Sequence, residues 1–130
     1  MKGKHVGLPE CVFRPFRDIW ELPRGWKDDF YWVIDGFKYM HGTGLSGNTA
    51  HVKAALQNRM STVIGHVHHT LGGEYLVSDK ERIFGMNAGC GIDRHQLAFK
   101  YGKDFLKKPA LGCGVVTDYG KLWQVFPMEL

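Results

Sequence analysis

The sequence predicts an α/β chain that leans towards α+β, a layered β-sandwich flanked by helices. Three observations point there. Strand-like runs outnumber helix-like ones by about two to one. Pairs of those runs are joined by short turn sequences: Asp35-Gly36, the segment 78–81, and Asp118-Tyr119-Gly120. Between the strands, the segment 49–60 repeats apolar residues at the helical period. Elements of this kind bury their apolar faces by stacking in layers.

The elements follow in order. Residues 15–22 predict a short helix, with Phe16, Ile19 and Trp20 at helical spacing, Pro15 at its first position, and Pro23 and Gly25 ending it. Its aromatics, with Phe13 and Trp26, are expected to bury against the rest of the chain. The runs 30–34 and 37–41 form a hairpin, because Asp35-Gly36 supplies the positive φ angles of a type I′ turn. A glycine-rich loop spans 42–47. The helix 49–60 should turn Val52, Ala55, Leu56 and Met60 inward and His51 to solvent. A short strand at 61–65 and a hairpin of 75–77 with 82–86 come next. A second short helix is expected at 93–99, and a last hairpin joins 114–117 to 122–126.

The 130 residues, 44% of them hydrophobic, fit one domain at roughly 100–200 residues per domain. Within it, the Pro- and aromatic-rich segment 1–29 differs from 30–130. The longest apolar runs, such as 30–34, fall far short of the roughly 20 residues that cross a bilayer. Met1-Lys2-Gly3-Lys4 is basic, but no apolar stretch of signal-peptide type follows it. The expectation is a soluble cytoplasmic protein with no membrane partner. Lys plus Arg exceed Asp plus Glu by 17 − 13 = +4. That surplus suits a phosphate-bearing partner and excludes a DNA-packing protein or a basic arm. Lys100, Lys103, Lys107 and Lys108 read as a solvated surface loop. Cys11, Cys90 and Cys113 are odd in number and contain no Cys-x-x-Cys pair, which argues against a disulfide framework or a zinc ribbon and for a reducing compartment.

Seven histidines are the chemical resource. His41 closes the run 37–41 and precedes Gly42. His66 and His68 follow Thr62-Val63-Ile64-Gly65. In an extended chain, residues i and i+2 share a face, so His66 and His68 can present imidazole to one point or to two neighbouring points. Gly65 removes a side chain that would crowd a cation. Neutral imidazole suits Zn, Mn, Fe, Co or Ni, and carboxylates for a harder ion must come from elsewhere. The competing reading is a surface pair, or one buried and one exposed ring. Trp20, Trp26, Trp32 and Trp123 read as core and interface residues rather than base-stacking platforms.

Gly65-His66-Val67-His68 resembles the Gly-His-x-His signature that closes the calcineurin-like metallophosphoesterases. His41-Gly42 resembles their isolated upstream histidine, and the loop 44–47 with its helix resembles the segment linking the two motifs. Asn87-Ala88-Gly89-Cys90 resembles the Asn-x-Gly-Ser type turn that commonly follows. The resemblance covers about 30–126. It implies a metallophosphoesterase-type sandwich and a phosphate-ester hydrolase whose two metal ions activate a water for attack on phosphorus. It also implies His41 and His66 as ligands of the second metal and His68 of the first, with Mn²⁺ or Zn²⁺ bound and Fe, Ni or Co as other options. His69 reads as an exposed neighbour of the motif, the alternative being a contact to the substrate phosphate. No catalytic residue is assigned. Nucleic acid is an optional substrate and not a partner that the residues point to.

The family pattern also has Asp-x-His, Gly-Asp-x-x-Asp and Gly-Asn-His upstream of the lone histidine. Only 40 residues precede His41, and none carries these motifs. The chain therefore resembles the C-terminal half of such an enzyme. Three neutral histidines divided between two cations hold neither well, since stable sites use three or four ligands. Activity is expected to need a homodimer or a separate chain carrying the N-terminal half. The other outcomes are an inactive remnant or binding module with at most one residual metal, and an independent hydrolase that rebuilds its site by dimerising or from His69, His95 and Asp93.

Overall fold

In a computed structural model of the chain, residues 15–92 and 106–128 are described. The expected helix at 93–99, with Asp93 and His95, lies outside them, as do Phe13, Cys11, Lys100 and Lys103. The elements are α1 (Phe16–Ile19), β1 (Tyr31–Ile34), β2 (Phe37–Met40), α2 (Ala50–Asn58), β3 (Thr62–Ile64), β4 (Gly72–Val77), β5 (Arg82–Asn87), β6 (Gly112–Thr117) and β7 (Leu122–Pro127). Strands dominate, in keeping with the α+β class.

Five strands form one sheet in the order β1-β2-β3-β5-β4, while β6 and β7 pair separately. The three middle strands run parallel, and β1 and β4 join the edges as antiparallel hairpin partners. The β1–β2 turn is of the expected left-handed kind, with Asp35 at φ 51 and Gly36 at φ 83. Side chains alternate across the sheet and divide the core in two. On one face Phe37, Val63, Phe84 and Met86 meet Val116, Trp123 and Val125 of the β6–β7 hairpin. On the other, Ile64 and Met40 meet Ala50 and Ala54 of α2, together with Leu45 and Val67. Helix, sheet and hairpin thus make three layers. Gly120, at φ +81 in the β6–β7 turn, lies against the Phe37 ring, where a Cβ would overlap it.

The helix docks by a face that matches its periodicity only in part: Ala55 is buried as expected and Val52 and Met60 are half-buried, but Leu56 is not turned inward. Ala50, His51, Ala54 and Ala55 are buried, whereas Leu56 is 57% exposed. The reason lies on β5: a Cβ at Gly85 would overlap the His51 carbonyl, so glycine there lets the first helical turn settle onto the sheet. Small alanines suit that close approach better than leucine does. The same contact corrects the expected solvent placement of His51, which is 7% exposed, with Nε2 3.8 Å from Glu74 Oε1 on β4. The helix ends at Arg59 in the left-handed conformation (φ 51), with the cap N–H groups returning to the Ala55 and Leu56 carbonyls.

A second expectation fails in the N-terminal segment. α1 is a single turn, and Ile19, Trp20, Trp26 and Phe30 are exposed. Arg17 donates to the Trp26 carbonyl (2.8 Å) and to Asp28 (3.3 Å), so polar contacts fix this stretch in place of a buried aromatic face. All four residues of β1 are exposed as well. Of the four tryptophans, Trp123 enters the core. No helix among the described residues is long and apolar enough to cross a membrane.

Two outcomes follow from the α2–β5 contact. Gly85→Ala should lower stability by about 1–3 kcal/mol, the usual cost of overpacking, in urea denaturation. Burial holds the His51 imidazole below its ordinary value, while Glu74 pulls weakly the other way. The unfolded chain therefore takes up a proton near pH 6.5, before the folded one does, and stability falls as the pH drops below that point. His51→Leu should flatten this acid limb in denaturation midpoints measured from pH 7.5 to 5. Some slope should remain from His69, whose pKa is also lowered.

Candidate metal-binding site

The parallel strands β2, β3 and β5 end at one edge of the sheet, where loops of such folds carry ligand groups. Register fixes which residues meet there: Met40 pairs with Ile64, and Ile64 with Asn87. The ladder runs one step further, with the Gly65 N–H on the His41 carbonyl (3.2 Å) and the Ala88 N–H on the Ile64 carbonyl (2.9 Å). His41 and His66 consequently leave adjacent strands side by side.

Their rings meet edge to face, with centroids 4.9 Å apart and planes at 75°. His66 Nδ1 lies 3.0 Å from His41 Nε2, so one ring donates a hydrogen bond and the other accepts it. Gly42 borders the pair at φ +94; a Cβ there would press on the Ile64 side chain at 3.2 Å and on His66 Cβ at 3.4 Å. Glycine therefore meets both the backbone angle and the tight space beside the histidines.

His66 and His68 do not sit on a continuous strand. β3 stops at Ile64, and His68-His69 lie in a turn that the Thr70 N–H closes onto the Val67 carbonyl (3.4 Å). Val67 is buried beneath α2, and His68 is exposed, its carbonyl accepting from the Ala110 N–H (2.7 Å). The Nε2–H of His69 donates to Asn48 Oδ1 (3.1 Å), tying this turn to the glycine-rich loop after β2. Partial burial and the nearby Lys107 charge both hold the His69 imidazole below its ordinary pKa, favouring this neutral, donating form.

Among the described residues, no three His, Cys, Asp or Glu side chains converge on one point. What converges is the His41–His66 pair. Two nitrogens 3.0 Å apart, each about 2.1 Å from a shared cation, subtend an angle of about 90°. The two nitrogens could therefore take neighbouring positions about one cation, and in this structure one N–H is shared between the rings. Any further ligands would have to be water or groups from elsewhere.

The sequence marks the four histidines, and Asn87 as part of the motif 87–90, but not Asn48, the amide that bonds His69. Asn48 falls between the glycine-rich loop 42–47 and the helix expected at 49–60, with no signal of its own. Asn87 carried a usable signal: it is a polar residue ending the otherwise apolar run Ile83-Phe84-Gly85-Met86. No protein-family model, curated protein or solved structure matches this chain.

The ring pairing has a direct spectroscopic consequence. Histidine-directed ¹⁵N NMR of the metal-free protein should show His41 and His66 in complementary tautomers with one shared N–H. In His66→Ala that signal should vanish and the His41 nitrogens should revert to the averaged pattern of an exposed ring. An unchanged His41 spectrum would contradict the pairing.

Proposed function

We propose that the chain is the histidine-bearing half of a metal-dependent phosphate-ester hydrolase of the calcineurin-like type. One observation carries this reading: His41 Nε2 and His66 Nδ1 lie 3.0 Å apart at the ends of adjacent parallel strands, spaced to share a cation. The Gly-His-x-His and lone His-Gly motifs that suggested the family fall on these strand ends. On this reading the three layers are part of a metallophosphoesterase-type sandwich.

Bound Mn²⁺ or Zn²⁺ ions would supply an activated water and neutralise charge on the phosphate oxygens. His41 and His66 would hold one ion through the paired nitrogens. His68, exposed and two residues after His66, would be the ligand available to a second. On this reading His69, whose pKa is lowered by partial burial and by Lys107 and whose Nε2 meets Asn48 Oδ1, would contact the substrate phosphate. Imidazoles carry no negative charge, so two close cations need carboxylates from outside the described residues. A second copy or a separate N-terminal half would provide them. The uncovered apolar strand β1, next to β2 in the sheet, supports an added element on that side. Cys90 and Cys113 are free thiols, in keeping with a reducing, cytoplasmic setting.

The lack of a three-ligand group among the described residues favours a second reading, a binding module that keeps one weakly held metal. Hydrolysis of nitrophenyl phosphate mono- and diesters in excess Mn²⁺ separates the two. Turnover lost in His68→Ala, with the fold intact, supports an enzyme that completes its own site. No turnover, with Mn²⁺ binding that disappears in His66→Ala, leaves the incomplete half or the module. If Mn²⁺ does not bind to the wild-type chain at all, the metal assignment falls.

A further inference from the structure

We propose that Asn87 is a positioning residue of the histidine site, holding from below the loop that carries His66, His68 and His69. The proposal deepens the metal-site reading and rests on it for the meaning of the site, while its geometry stands alone. Asn87 is 0% exposed. It pairs in register with Ile64 on one side and Gly72 on the other, the last residue of β3 and the first of β4. The loop between those two strands therefore begins and ends beside Asn87 and arches over it.

Inside that arch the carboxamide makes the contacts that a sheet ladder would make elsewhere. Its Nδ2 donates to the Val67 carbonyl (2.6 Å) and to the Thr70 hydroxyl. The amide orientation is settled by this arrangement, since the reversed group would set Oδ1 against the Val67 carbonyl. The Thr70 hydroxyl donates in turn to Val67 O (3.5 Å). Val67 is thus fixed twice, by its side chain in the core beneath α2 and by its carbonyl on Asn87. His66 and His68 flank that fixed residue. Groups that orient metal-binding histidines usually act on the rings directly; Asn87 acts one step further back, through the main chain between them.

The test uses the full chain with Mn²⁺ as the probe. Asn87→Asp keeps the side-chain shape and removes both donors when ionised, or one of the two when the buried carboxyl is protonated against the Val67 carbonyl. It should weaken Mn²⁺ binding by roughly 10–100-fold, the range seen when orienting partners of metal ligands are lost. It should also disturb the shared His41–His66 N–H signal of the metal-free protein, with unchanged circular dichroism. A folded Asn87→Asp protein with wild-type Mn²⁺ affinity and a wild-type histidine spectrum overturns the proposal. Should Asn87→Asp fail to fold, Thr70→Val and Thr70→Ser decide. Loss of the imidazole signal in the valine variant and its retention in the serine variant supports the role; two wild-type spectra overturn it. If the wild-type chain binds no Mn²⁺, the metal reading fails, and the histidine spectra alone still judge Asn87.

Discussion

The site depends on a register: Met40, Ile64 and Asn87 lie side by side across three parallel strands. In a parallel sheet the strand ends reach the same edge, so whatever follows each strand is delivered to one place. His41, His66 and the Asn87 amide arrive there for that reason. A shift of β3 by one residue would exchange its two faces, moving Val63 off the β6–β7 side and Ile64 off the α2 side. Both apolar clusters would have to be broken to misplace His66. The core thus fixes the site through register.

That register is held by unequal layers. The hairpin face is built from large side chains, with the Phe84 ring meeting those of Phe37 and Tyr75 and Trp123 packed against Tyr75. The helix face is built from close approach, with alanines and the His51 backbone set against Gly85. Burial area favours the first, since aromatic side chains contribute the most apolar surface. The second places α2 so that Val67 can be buried and the turn after β3 can fold over Asn87. A looser helix contact would free that turn while leaving the aromatic side intact.

The legible parts of the sequence were those governed by local chemistry. Asp35-Gly36 announced its turn because few residues accept its φ angles, and strand ends were marked by glycines beside histidines. The inner face of α2 was legible only in part: Ala55 is buried as its spacing predicts, but Leu56 is exposed and Ala50, His51 and Ala54 are buried. Periodicity ranks Leu56 above Ala54, but the contact is set by Gly85, some thirty residues later in sequence, and only alanine-sized groups fit. His51 was misjudged for the same reason. The i, i+2 argument for His66 and His68 assumed a strand that in fact stops at Ile64. Val67 between them turns into the core, and His68-His69 enter a turn, a tertiary arrangement with no local signature. Asn87 was legible as a residue out of keeping with its strand, but its partner carbonyl could not be read from types and spacings.

The strand that leads to His41 borders an apolar edge of the sheet that is exposed among the described residues. β2 carries His41 at its end, and its outer neighbour β1 exposes Tyr31, Trp32, Val33 and Ile34. Soluble edge strands usually carry charge or a bulge to discourage pairing; β1 offers four apolar residues in a row. A strand added there would lie two positions from β2, and a loop at its near end would come close to the histidine pair. Under the proposed function, one added element could therefore cover the apolar edge and bring the carboxylates the imidazoles lack. Apolar burial would supply the affinity, and the acidic ligands would meet a cation already held by His41 and His66. Association and metal binding would then reinforce each other, because each completes a surface that the other leaves unfinished.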